Sequence, residues 1–198
     1  MTLSEQAFSD TRRDFGSPVL ATERLVLRTP HRDDAPAIAS LANDKRIAVN
    51  TARLPHPYGL NDAEQFIAWV SGGDGKAAFV ITLGATLIGA CGLDQRGDGL
   101  EIGYWLGVPY WSCGYATEAV RALIDHAFDD LRCETLAAGV RVSNPASRRV
   151  LEKCGFQWTG VRLMRVRAIH SAAPADRFRL DRGLWASLKS WGAVKRVA

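Results

Sequence analysis

Three groups of residues are suited to chemistry. The first is the run Trp111-Ser112-Cys113-Gly114-Tyr115-Ala116-Thr117, set just before Val120, Leu123, Ile124 and Phe128, which recur at helical spacing. The first turn of a helix carries N–H donors with no internal partner and a partial positive charge. Gly114 and Ala116 would let a ligand come close to that backbone. The combination predicts a phosphate or pyrophosphate guest; an ordinary strand–helix crossover is the other reading of the glycines. No GxGxxG follows the preceding strand and no Gly-Lys-Ser/Thr closes the loop, so two familiar phosphate loops are excluded. The second candidate is Glu101, the one acid in the apolar and aromatic run Leu100–Leu106. Burial would raise its pKa toward a value useful to a general base, with an outward-facing structural glutamate as the alternative. The third is the segment opened by Asn144, a good helix cap, with Arg149 and Lys153 on it as cations that could reach phosphates.

These groups need elements to hold them. Leu100–Leu106 reads as a strand, Gly107–Ala116 as a turn-rich loop and Thr117–Phe128 as a helix. Upstream, Thr22–Thr29 alternates as a first strand. Asp33 or Asp34 then caps a helix burying Ile38, Leu41 and Ala42. Val49–Leu60, with three turn-forming residues and no period, is a loop. Asn61 caps a second helix, with Glu64 completing a capping box and Phe66, Trp69 and Val70 on its buried side. Ser71–Gly75 is a turn, Ala77–Thr82 and Leu87–Leu93 form a hairpin, and Asp94–Gly99 turns into the central strand. Thr135–Val140 follows as a strand parallel to Leu100–Leu106 through a right-handed crossover. Asn144–Cys154 is a helix stopped by Gly155. Phe156–Val161 and Phe178–Leu184 pair last, joined by a long, mobile connection over Met164–Ala175. No repeat or second domain is visible. The order implies an α/β (α+β) mixed sheet with helices on both sides.

Composition narrows the class. At 198 residues and 47% apolar content the chain suits one domain with a full core. Its N-terminus is polar and lacks a signal-peptide core, and no run of about 18 apolar residues suggests a membrane span. The expectation is a cytoplasmic protein with no membrane partner. The net charge of +4 favours a polyanionic ligand, but the basic residues do not interleave with aromatics as a nucleic-acid surface requires. Cys91, Cys113, Cys133 and Cys154 have no metal-ligand spacing, so free thiols and no metal are expected. His31, His56, His126 and His170 sit apart. His56 and His170 either line an acceptor site or are solvated loop residues.

Trp111 through Ala119 resembles the acetyl-CoA loop of the GNAT superfamily of N-acetyltransferases, with Trp111 where the commoner pattern has Gln or Arg. The Trp form followed by Gly114-Tyr115-Ala116-Thr117-Glu118-Ala119 is similar to the RimJ/RimL branch, which acetylates ribosomal-protein N-termini and includes relatives with other amine substrates. Asn144-Pro145-Ala146-Ser147 through Val150-Leu151-Glu152-Lys153-Cys154-Gly155-Phe156 resembles the same branch's downstream helix. The resemblance implies a splayed, seven-stranded sheet flanked by about four helices, with an N-terminal arm over 1–20, the transferase domain over 21–190 and a tail over 191–198. It implies acetyl-CoA as cosubstrate, its pyrophosphate on Trp111–Thr117 and its pantetheine arm in a gap between Leu100–Leu106 and Thr135–Val140. There it would pair with backbone groups of Leu106, Gly107 and Val108 and meet Asn144. Ser147 stands as the substitute for the tyrosine many relatives place at the position of Leu151, and would donate to the departing sulfur or cap its helix.

Acetyl transfer needs a neutral amine, a polarised carbonyl and a proton for the leaving thiolate. At pH 7 a peptide α-amine is roughly 10% neutral and a lysine amine roughly 0.04% neutral, so peptide N-termini or small amines are the easier acceptors. Tyr58, Trp105 and Tyr110 are expected to shape the acceptor pocket, with recognition in Val49–Leu60 and Met164–Ala175. A non-catalytic acyl-CoA sensor is one alternative. An aminoglycoside acetyltransferase, with Asp94, Asp98 and Glu101 in an acidic cleft, is another. Oligomeric state stays open, a homodimer included.

Overall fold

The computed structural model describes residues 19–72, 77–96 and 99–194; the expected N-terminal arm up to residue 18, most of the turn after Ser71 and the end of the expected tail lie outside them. Among the described residues there are eight strands and six helices, where seven and about four were expected. In chain order these are β1 (Leu20–Ala21), β2 (Leu25–Arg28), α1 (Ala35–Ala42), α2 (Lys45–Ala48), α3 (Leu60–Ser71), β3 (Ala77–Leu83), β4 (Thr86–Arg96), β5 (Gly99–Leu106), α4 (Tyr115–Asp125), β6 (Thr135–Arg141), α5 (Pro145–Lys153), β7 (Gln157–Val166), β8 (Ser171–Asp181) and α6 (Arg182–Val194). They form one sheet in the order β1-β2-β3-β4-β5-β6-β8-β7.

Every neighbouring pair is antiparallel except β5 and β6, joined in parallel by the α4 crossover. That pair is short. Only Leu100↔Leu136, Glu101↔Ala137 and Ile102↔Ala138 match, although β5 runs on to Leu106 and β6 to Arg141. Beyond Ile102 the two strands part, and the sheet is open at its centre.

Two apolar layers clamp the sheet. On one face Val120, Leu123 and Ile124 of α4, Leu151 of α5 and Trp185 of α6 pack on Leu25, Phe79, Ile102, Leu136 and Phe178. On the other, Ile38 and Ala42 of α1 and Ala63 and Ile67 of α3 cover Val80 and Leu87, with Trp105 alongside. Alternation along β5 sends Ile102 to the first layer and Glu101 and Trp105 toward the second.

Several elements depart from the sequence expectation. The cap of α3 is Gly59, whose amide donates to Asp62 at 2.9 Å, so the helix starts earlier than Asn61 and Glu64 suggested. Its buried side is Ala63, Ile67 and Val70, and Trp69 is left 38% exposed. Leu41, expected to turn inward with Ile38, is only half-buried. The expected mobile connection over Met164–Ala175 is instead a long β7–β8 hairpin closed at Arg167–Ile169, with His170 at φ 49°. Solvent-facing arginines and Pro174 mask its alternation. The last strand stops at Asp181, and Arg182 opens α6. Its Trp185 indole packs 5.0 Å from Phe128 and donates to Asp125 at 2.8 Å.

Candidate active site

The loop ahead of α4 is shaped by its own residues. Gly114 caps the helix at φ +82° and Ser112 sits at φ 61°. The first bond into the helix runs from the Glu118 amide to the Gly114 carbonyl, 3.1 Å. Ahead of it, the amides of residues 112 to 117 have no backbone acceptor among the described residues. Six consecutive donors in the loop and first turn of a helix are thus free of backbone partners, at its positive end.

Residues outside the local motif hold this loop. The Trp111 indole donates to the Leu106 carbonyl at 2.8 Å. Arg24, ahead of β2, donates to the Cys113 carbonyl at 3.1 Å, lies 4.6 Å over the Tyr115 ring and pairs with Glu118 at 2.6 Å. Glu118 also accepts from the Thr22 hydroxyl at 2.6 Å and the Arg24 amide at 2.8 Å. Burial alone would raise the Glu118 pKa, but these donors hold it below the usual carboxylate range. Neither Arg24 nor Thr22 had a motif to mark it; the contacts to Glu118 cross more than ninety residues.

A cavity of about 340 Å³ opens over these amides, lined by Leu106, Trp111, Ser112, Gly114, Tyr115, Ala116, Thr117, Asn144 and Ser147, with Arg46, Arg149 and Lys153 as its cations. Tyr110 also lines it. Gly107, Val108 and Cys113 do not; Cys113 is exposed beside it, and Gly107 is buried. Of the backbone groups expected to pair with a pantetheine, the carbonyls already accept one internal bond each: Leu106 from Trp111, Gly107 from the Tyr110 amide at 2.9 Å, and Val108 from the Trp111 amide at 3.2 Å. The Gly107 amide likewise donates to Ile88 at 2.8 Å. Asn144 caps α5 by accepting from the Ser147 amide at 3.1 Å.

On the opposite face lies a second cavity of about 480 Å³. Tyr58, Phe66, Trp69 and Trp105 are its aromatic walls, Asp62, Asp94 and Glu101 its acids, and Met164 and Arg167 reach it from the hairpin. Both segments expected to recognise an acceptor therefore meet there. His56 and His170 line neither cavity. Burial pushes the Tyr58 hydroxyl up to about 12. Glu101 accepts from Arg177 at 2.9 Å, and Asp94 is ion-paired with Arg53.

Tyr104, Trp105 and Ser147 line both cavities, so the two meet where β5 and β6 part. Tyr104 was missed from the sequence because it reads as a core strand aromatic. Its hydroxyl donates to the Ser147 carbonyl at 3.1 Å, and burial raises its pKa above the ordinary value, keeping it a donor. Leu151 points into the core, fully buried.

The family model of the acetyltransferase (GNAT) domain matches residues 24–157, which span the splayed strands, the amide loop and α5. The chain belongs to the GNAT family of acetyltransferases. It is 32% identical over 149 residues to a protein described as an uncharacterized N-acetyltransferase, p20, of Bacillus licheniformis, covering 72% of this chain and 84% of that one. In fold, this GNAT chain is similar to Mycobacterium smegmatis RimJ, solved in complex with CoA-disulfide, with a TM-score of 0.69 at 21% identity, covering 79% of this chain and 81% of that one. It is also similar to spermidine N-acetyltransferase from Vibrio cholerae, solved with CoA and spermine, with a TM-score of 0.72 at 20% identity, covering 83% and 99%. Among the described residues of this GNAT domain no group of three or more His, Cys, Asp or Glu could hold a metal, and no helix is long and apolar enough to cross a membrane.

Proposed function

We propose that the protein is an acetyl-CoA-dependent N-acetyltransferase acting on a primary amine that carries a single charge, a peptide N-terminus or a small monoamine, as in the RimJ/RimL branch. The observation that carries this is the meeting of two cavities at the splay, one floored by Ser112 and Gly114–Thr117, whose amides have no backbone partner, and the other walled by aromatics around a carboxylate. When bound, acetyl-CoA supplies the acetyl group as a reactive thioester.

The residues present fit it. Amides 112–117 hold the diphosphate, and Arg149 and Lys153 neutralise further phosphate charge. Pantetheine contacts fall to backbone groups along the β5 edge and to Asn144, with the carbonyls of Leu106, Gly107 and Val108 each already accepting one internal bond. Glu101 receives the proton the amine loses as its nitrogen bonds the acetyl carbon. Ser147, at the junction, donates to the sulfur as the carbon–sulfur bond breaks. Tyr58 and Trp105 seat the body of the acceptor, with Tyr110 on the cofactor side of the junction.

The charge pattern supports a monoamine over a polycation. Asp94 and Glu101 each face an arginine, so two of the three acids of the acceptor cavity are charge-matched, and the third, Asp62, caps α3. An aminoglycoside or polyamine site would need surplus negative charge there. The test is thiol release from acetyl-CoA against N-terminal peptides, polyamines and aminoglycosides. Turnover fastest with peptides or simple monoamines is expected. Faster turnover of polycations would reverse the acceptor assignment. No release with any amine, alongside tight CoA binding, would make the protein a sensor.

A further inference from the structure

β6 has two unlike faces. Leu136, Ala138 and Val140 are buried in the layer under α4 and α5, whereas Ala137 and Gly139 face the other way. Arg177 of β8 is in register with Gly139. Its guanidinium lies across that glycine and Nη1 donates to Oε1 of Glu101 on β5 at 2.9 Å. The pair thus spans three strands, one step beyond Ile102↔Ala138, where β6 leaves β5. Glu101 and Gly139 both line the second cavity. A Cβ at Gly139 would collide with Nη1 of Arg177 and stand 3.3 Å from Oε1 of Glu101, with the Arg177 guanidinium carbon next nearest.

Glycine inside a strand costs about 0.5–1 kcal/mol relative to alanine, and Gly139 has no left-handed φ to require it. What it leaves is a lane for one guanidinium. A brace for stability alone would not need that lane, because β6 and β8 already pair over seven positions and apolar side chains there would serve as well.

We propose that Arg177, acting through the lane at Gly139, is a positioning residue that holds the Glu101 carboxylate toward the acceptor amine. This rests on the acetyltransferase reading above. The guanidinium fixes one carboxylate oxygen, so the carboxylate meets the amine in one orientation.

The test is steady-state kinetics of the full chain with acetyl-CoA and the fastest amine from the thiol-release screen. Arg177→Gln and Gly139→Ala should each lower kcat about 10-fold, a fraction of what a general base contributes, with the KM for acetyl-CoA unchanged. In a Glu101→Gln background neither should lower kcat further, and Arg177→Lys should recover part of the loss. Wild-type kcat in both single variants, or losses that multiply with Glu101→Gln, would overturn the positioning role while leaving the enzyme reading intact. A wild type that releases no CoA would overturn the enzyme reading itself. If Arg177→Gln does not fold, Gly139→Ala carries the cycle, because the atoms nearest its new methyl are the ends of two side chains.

Discussion

The indole of Trp111 donates to the carbonyl of Leu106 at 2.8 Å, tying the amide loop to the last residue of β5. The Leu106 carbonyl points away from β4, because the next amide, of Gly107, is given to Ile88 on that strand. Trp111 thereby takes an acceptor at the mouth of the splay and sets the height of the loop above it.

Trp111→Phe removes that bond while keeping an aromatic ring. One neutral hydrogen bond contributes about 1 kcal/mol, so acetyl-CoA affinity should fall about 5-fold in calorimetry. Thermal stability should barely change, because Trp111 is 42% exposed. Unchanged affinity would mean that the loop keeps its height without the indole.

Gly114→Glu should abolish acetyl-CoA binding. The residue sits at φ +82°, where a side chain is strained, and a Cβ would lie 3.3 Å from Nη2 of Arg24. The added carboxylate would compete for the loop amides that have no backbone partner. Calorimetry showing wild-type affinity would remove residues 112–117 from the cofactor site.

Ser147→Ala and Tyr104→Phe separate two donors at the junction. Loss of a proton donor to the departing sulfur should lower kcat about 10-fold or more with little change in the KM of either substrate. The larger effect is expected for Ser147, since the Tyr104 hydroxyl is already given to the Ser147 carbonyl. A kcat drop confined to Tyr104→Phe would transfer the role.

Acid should destabilise the fold through two carboxyls near β2. Burial alone would raise the pKa of Asp34, but Arg28, at 2.7 and 2.8 Å, and the His31 amide, at 2.7 Å, hold it low; Glu118 is held low by Thr22 and Arg24. A carboxyl whose folded pKa is depressed binds protons more readily when unfolded. Its stabilisation is complete above the ordinary carboxylate pKa and is lost as pH falls through the folded value. The melting temperature should therefore hold from pH 7 to about 5 and decline below about 4. Asp34→Asn should cost about 2–3 kcal/mol at pH 7 in denaturant melts and flatten that acid limb.

What the sequence determined by itself was local. The turn at Gly114, the Asn144 cap, the stop at Gly155 and the β3–β4 hairpin follow from backbone preferences within a few residues, and they are where the chain reads most clearly. The mixed sheet followed from the order of elements. The β7–β8 hairpin and α6 were misread because their surfaces are half solvated: exposed arginines break the alternation of one, and a strand runs straight into the other at Arg182. Tertiary structure alone decided which side chains complete the site. Arg24 finds Glu118, Arg177 finds Glu101 across Gly139, and Tyr104 reaches Ser147, each across more than forty residues. No local pattern encodes such contacts. They exist because the order of the strands, and the helices packed on them, bring distant segments together around a sheet that opens at its centre.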